Sequence, residues 1–258
     1  MVEQMRNFFA SWFSDPSILG IGLAIVFGAV WLTCFWPPFF KRPWLWAVLA
    51  GSAILTLVAV TFVQIPLQIK VGQALGQEVF LQWPLLASIP AILFSGLVQE
   101  GSKLVPIVLY WWREGRSIDP KLGLAIGAVA GAGFGIFEAQ WIHNAIFAAG
   151  WNWEVVQNSG VIALAGFWER FFTVAFHTAV SALAGYGLAR GWGWQFYLLA
   201  AFLHALTNYG AVLFGTGVIT IVQVEIYIAV IAVLVTAVVL WLRWRKPAEL
   251  AELEVSTA

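Results

Sequence analysis

Residues Leu122–Ala149 read LGLAIGAVAGAGFGIFEAQWIHNAIFAA. The stretch holds one carboxylate, Glu138, one imidazole, His143, and neither lysine nor arginine. A helix rises about 1.5 Å per residue, so ~20 apolar residues cross a hydrocarbon core of ~30 Å. The stretch predicts a membrane-spanning helix, because a helix satisfies its own backbone groups where water is absent. Six further runs of this kind surround it: Ser17–Trp36, Trp44–Pro66, Trp83–Trp112, Phe167–Ala189, Trp194–Phe214 and Val218–Trp244. Proline, charge or Gly-Trp-Gly separates several of them, as at Pro37-Pro38, Lys41-Arg42-Pro43 and Gly191–Gly193. The reading is an all-α, polytopic transmembrane bundle of about seven helices, with residues 1–258 as a single transmembrane domain.

Composition agrees. Apolar residues make up 61% of the chain and charged residues 10%, against ~45–50% and ~25% in soluble globular chains. Trp36, Trp44, Trp111, Trp112, Trp194 and Trp244 stand where runs begin or end, as an interfacial belt requires. A net charge of zero leaves no basic field to recruit nucleic acid. The single cysteine, Cys34, excludes an internal disulfide and reads as a small lipid- or core-facing residue. The first run lacks a basic n-region and a clear cleavage site, so it reads as a retained span. Pro90 is expected to kink the third helix. Leu67–Gln82 is expected to form a short interfacial helix, and the acidic tail after Pro247 to fray.

Loop charges orient the chain. With seven spans and the N-terminus outside, the cytoplasmic side holds Lys41, Arg42, Arg113, Arg116, Lys121, Arg190, Arg243, Arg245 and Lys246, which is nine of thirteen basic residues. The outside holds Arg6 and Lys70, and Lys103 and Arg170 lie within spans. That is a strong positive-inside bias, and it places the C-terminus in the cytoplasm.

Ionisable groups inside a bilayer are costly, so they mark function. They fall in the third to sixth helices, within a core of about residues 83–215. The third carries Gln99-Glu100-Gly101-Ser102-Lys103, where Glu100 and Lys103 share a face. The fourth carries Gly123, Gly127, Gly131 and Gly135, a smooth ridge for close helix packing, and then Glu138. The fifth carries Glu169-Arg170 and His177, two turns on from Arg170. The sixth carries His204 and Asn208 on one face. Counted from the outer helix ends, Glu138 lies roughly 16 Å deep and His177 and His204 about 15 Å. Glu100 comes out near the same level, so two carboxylates and two imidazoles share a layer. His143 and Glu225 lie nearer span ends and are expected at the interface.

Such a layer suits hydrolysis. A carboxylate takes a proton from water while imidazoles and an amide stabilise the oxyanion. Alternatively His177, His204 and Glu138 hold Zn²⁺ or another divalent metal with an open fourth position. Buried Glu and His also make proton relays, so a proton-coupled transporter or channel is the rival class; no inverted repeat or paired broken helices speak for it.

The ordered set resembles the PrsW-type intramembrane proteases, in the broader group that includes the CAAX prenyl endopeptidases. That family's pattern is Glu-Glu-x-x-Lys, a Gly-rich Phe-x-x-x-Glu, an Arg followed by a His, and a final His-x-x-x-Asp or Asn. Gln99 to Lys103, Phe134 to Glu138, Arg170 with His177, and His204 to Asn208 resemble these in order, over roughly Ala87 to Phe214. The resemblance implies an intramembrane endopeptidase acting on membrane-anchored proteins, such as anti-sigma factors, in a prokaryotic plasma membrane. Glu100 would activate water, with Glu138 supporting it or binding metal. His177 and His204 would bind metal or stabilise the oxyanion, Asn208 would add a donor, and Lys103 and Arg170 would set charge balance. Gln99 replaces the first glutamate. If that carboxylate is the base, the chain is a weak homologue or a protease-inactive membrane scaffold; if the second is, Glu100 serves, with Gln99 binding water or the oxyanion.

Overall fold

A computed structural model of the protein describes residues 1–245. Lys246 and the tail after Pro247, which entered the expectations above, lie outside the described residues. The described chain is helical, with no strand, and seven helical segments are long and apolar enough to cross a membrane.

An N-terminal helix, α1 (Val2–Ser11), precedes the first span, α2 (Ile18–Phe35). The second span is α3 (Leu45–Ala59), which continues through a π-helical turn (Val60–Gln64) into α4 (Ile65–Leu75). Short helices α5 (Gln77–Gln82) and α6 (Pro84–Ala87) lead into α7 (Ile89–Arg113), and α8 (Pro120–Ala148) follows. Next come α9 (Trp153–Ser159), a 3-10 turn (Gly160–Leu164), α10 (Ala165–Ala189), α11 (Gly193–Gly215) and α12 (Ile221–Trp244).

Two expectations change. The segment Leu67–Gln82 is not one interfacial helix: α4 extends the second span past Pro66, and α5 is separate. Pro66 lies within this continuous rod, two residues past the π-helical turn, which is where its ring and missing N–H would disturb a regular α-helical ladder. Pro90 breaks the third span rather than only bending it, since it lacks the N–H that would bond the Leu86 carbonyl. The helix is interrupted at Ser88, and Pro90 sits in the first turn of α7.

The two most buried spans form the centre. Buried residues make up 83% of the apolar stretch of the span containing α10 and 78% of that of α8, against 28% for α2. The glycine ridge explains the pairing of α8 with α10. A Cβ on Gly127 would fall on the Ser181 carbonyl, and one on Gly131 on the His177 carbonyl. Those residues must be glycine for the backbones to approach this closely. Around the pair, α2 and α3 pack on α8, α11 and α12 pack on α10, and α7 closes between α3, α8 and α11. Individual bonds fix the contacts: Ser52 Oγ donates to the Ala130 carbonyl (2.7 Å) and Trp31 Nε1 to that of Phe171 (2.9 Å). Gly96 lets α7 meet α11, since a Cβ there would strike the Ala201 carbonyl.

The span ends carry capping chemistry. Ser17, Asp119 and Thr220 side chains accept N-terminal amides of α2, α8 and α12. At the other end of α2, the Arg243 guanidinium donates to the carbonyls of Phe35 (2.9 Å) and Trp36 (3.4 Å). A cation there suits the negative end of the helix dipole. Trp36, Trp112, Trp194 and Trp244 are exposed at span ends.

Candidate active site

Four helices deliver the site. In α7, Glu100 and Lys103 lie three residues apart and point into the bundle, both side chains fully buried. Lys103 Nζ donates to Glu100 Oε1 at 2.5 Å and to His177 Nδ1 at 3.0 Å. From α11, His204 Nδ1 meets the same Glu100 oxygen at 2.6 Å. Ser181, one turn beyond His177 on α10, donates to Glu100 Oε2 at 3.2 Å. From α8, Glu138 Oε2 lies 3.3 Å from His177 Nε2 and accepts from Arg170 at 2.8 Å. Arg170 also pairs with Glu169.

The protons follow from these partners. An ammonium only donates, so His177 Nδ1 accepts from Lys103, and its Nε2–H is left to donate to Glu138. A carboxylate only accepts, so His204 Nδ1 carries the hydrogen it gives to Glu100. The result is one unbroken chain, His204–Glu100–Lys103–His177–Glu138–Arg170–Glu169. Each buried charge touches an opposite one, which is the condition for holding ions away from water.

Gln99 and Asn208 belong to a separate, neutral cluster. Gln99 Nε2 donates to Gln64 Oε1 (3.1 Å) and Ser95 Oγ (3.2 Å), and Asn208 Nδ2 donates to the same Ser95 Oγ (3.0 Å). Gln99 Oε1 is buried with no hydrogen-bond partner among the described residues. Glu100, Glu138, His177 and His204, expected at one depth, all lie in the charged chain, and Gln99 and Asn208 stand apart from it.

Among the described residues, Glu100, His177 and His204 form the group that could hold a metal ion, with one ligand atom of each within 4.8 Å of the others. Glu138, expected among the ligands with His177 and His204, instead bonds Arg170 and the far nitrogen of His177. Two imidazoles and a carboxylate fit a catalytic metal's donor set. Glu138 on His177 Nε2 fits the outer carboxylate that orients a ligating imidazole.

His143 and Glu225, expected near the span ends, are covered by neighbouring helices. His143 is 0% exposed; its Nδ1 is 3.1 Å from the Gly20 carbonyl, and it packs on Phe27 and Phe167. It is a bonder between α8 and α2, and depth alone could not reveal that neighbour. Glu225 is buried against α10, where the Trp168 indole donates to its carbonyl. Three participants escaped notice as site residues: Ser181, Ser95 and Gln64. Ser181 and Ser95 each sit four residues from a recognised one, on the same helix face; Gln64 carries no such signal.

A seven-span helical bundle enclosing two carboxylates, two imidazoles and a lysine has the groups a membrane-embedded hydrolase needs. Residues 42–240 match the PrsW family intramembrane metalloproteases, and the chain belongs to that family. It is accordingly an enzyme, a protease working within the membrane. The chain matches no curated protein and no solved structure closely enough to extend that statement.

Proposed function

We propose that the protein cleaves a membrane-anchored protein inside the bilayer, using Glu100, His177, His204 and Glu138 as its reacting centre. The observation that carries this reading is the convergence of Glu100 with both imidazoles from three helices, all at most 2% exposed. Hydrolysis joins the water oxygen to the peptide carbonyl carbon and breaks the carbon–nitrogen bond. The water's protons end on the new carboxyl group and the amine. Glu138 is the more open carboxylate, its side chain 20% exposed against 0% for Glu100. Glu138, in place of the Glu100 that the resemblance implied, takes the proton of the attacking water and returns it to the departing nitrogen. Its bond to His177 also holds that ring in position.

Glu100, His177 and His204 would hold a divalent metal, and Zn²⁺ suits these donors; when bound it would polarise the carbonyl and acidify its water. Asn208 and Gln99 serve the substrate's main chain. A peptide within the bilayer must unwind to be cut, which frees N–H and C=O groups that need partners. The unpartnered Gln99 Oε1 accepts one such N–H, and the Asn208 amide offers a donor.

The substrate class implied by the family resemblance is a regulatory protein such as an anti-sigma factor. The family resemblance implies a prokaryotic plasma membrane, and the charge bias at the span ends supports an N-terminus outside and a C-terminus in the cytoplasm. Purified protein in liposomes, given labelled membrane-anchored peptides, is expected to release fragments. The Glu100→Ala/His177→Ala double variant is expected to release none; equal cleavage by both would sink the reading.

A further inference from the structure

Lys103 is the part of the site that the hydrolytic reading leaves unused. It is a fully buried lysine in a membrane helix, 2.5 Å from Glu100 Oε1 and 3.0 Å from His177 Nδ1. Both atoms are donors a metal would need. A divalent ion binds such donors at about 2.0–2.2 Å, so an ion bridging these two atoms would occupy the space Nζ now fills. The competition extends to the lone pair. With its Nε2–H directed at Glu138, His177 has one free lone pair, on Nδ1, and Lys103 uses it.

Charge points the same way. Lys103 already neutralises Glu100, and Arg170 lies between Glu138 and Glu169. A divalent ion added beside a retained ammonium would meet repulsion that the low-dielectric interior scarcely screens. The Phe134 ring, its centroid 5.6 Å from Nζ, further supports the ammonium where it is.

We propose that Lys103 is a built-in cation competing with divalent metal for Glu100 and His177, so that metal enters only as the ammonium leaves. The lysine, as well as the donor set, then determines how tightly the site holds metal. This rests on the reading that Glu100, His177 and His204 are the ligands.

The test is equilibrium dialysis of the full chain in detergent micelles against Zn²⁺ and Co²⁺, with bound metal read by elemental analysis and folding by thermal melting. Lys103→Met keeps the side chain's length and removes its charge. It is expected to bind one metal per chain at least about tenfold more tightly than wild type. Lys103→Arg keeps the charge and is expected to bind no more tightly than wild type. If Lys103→Met does not fold, Lys103→Gln makes the same comparison. Equal affinities in wild type and the uncharged variants, with binding still abolished by His204→Ala, would overturn the competition and leave the ligand assignment standing. Binding by none of the proteins, or binding indifferent to His204→Ala, would overturn both.

Discussion

The charged and neutral clusters meet on one helix, where Glu100 follows Gln99 directly, yet they solve different problems. The charged chain, from His204 to Glu169, is closed in charge: each ion touches its opposite, and Glu100 and Lys103 see no solvent, while of the Arg170 guanidinium only the Nε–H is without a partner among the described residues. The amide cluster of Gln64, Ser95, Gln99 and Asn208 is open: it carries no formal charge and leaves the Gln99 carbonyl oxygen unpaired among the described residues. Ions in a dry interior require partners already in place, because removing one exposes the full desolvation penalty of the other. Amides tolerate a vacant bond at far lower cost. The difference suits a division of labour, with chemistry in the closed cluster and substrate main chain at the open one.

Substitutions can break or sharpen that contrast. Glu100→Ala strands Lys103 and should destabilise the protein by about 3–5 kcal/mol, read by denaturant unfolding in micelles. Adding Lys103→Met should recover most of that loss, and failure to do so would mean the pair is not the closed unit described. Gly131→Ala drives a methyl against the His177 carbonyl and should cost about 1–3 kcal/mol while lowering peptide cleavage. Gln99→Glu restores the family's first glutamate but places a carboxylate against the Gln64 oxygen. It should cost roughly 1–2 kcal/mol and should not raise the cleavage rate; a faster enzyme would show that the amide cluster is a lapsed catalytic one. Glu225→Gln lies outside both clusters and removes a carboxylate with a buried, unpartnered oxygen. It should change stability by no more than about 0.5–1 kcal/mol, in the stabilising direction.

Hydropathy made the seven spans legible, and the glycine spacing of Gly123, Gly127 and Gly131 announced a close partner for α8. It could not say that the partner is α10, because small residues specify closeness and not identity. Depth arithmetic put Glu100, Glu138, His177 and His204 at one level. Depth has no azimuth, however, so it could not separate Gln99 and Asn208 from Glu100, nor tell that Glu138 meets the far side of His177. Nor does closeness to a helix end say whether another helix covers a side chain, as α2 covers His143. Gln64 was invisible because its direction depends on a local change of helical pitch.

That change of pitch, the turn Val60–Gln64, works as a gear between two halves of one rod. An α-helix advances about 100° per residue, and a π-turn accommodates one residue beyond the regular count. Everything beyond the turn, from Ile65 to Leu75, is therefore offset in rotation from the face that Leu45–Ala59 presents to α8. One part of the span can mesh with the glycine-bearing helix while Gln64 reaches Gln99. Deleting one residue between Val60 and Val63 would remove that extra residue and let the rod run as a plain α-helix, with Ile65 to Leu75 keeping nearly the faces they now present.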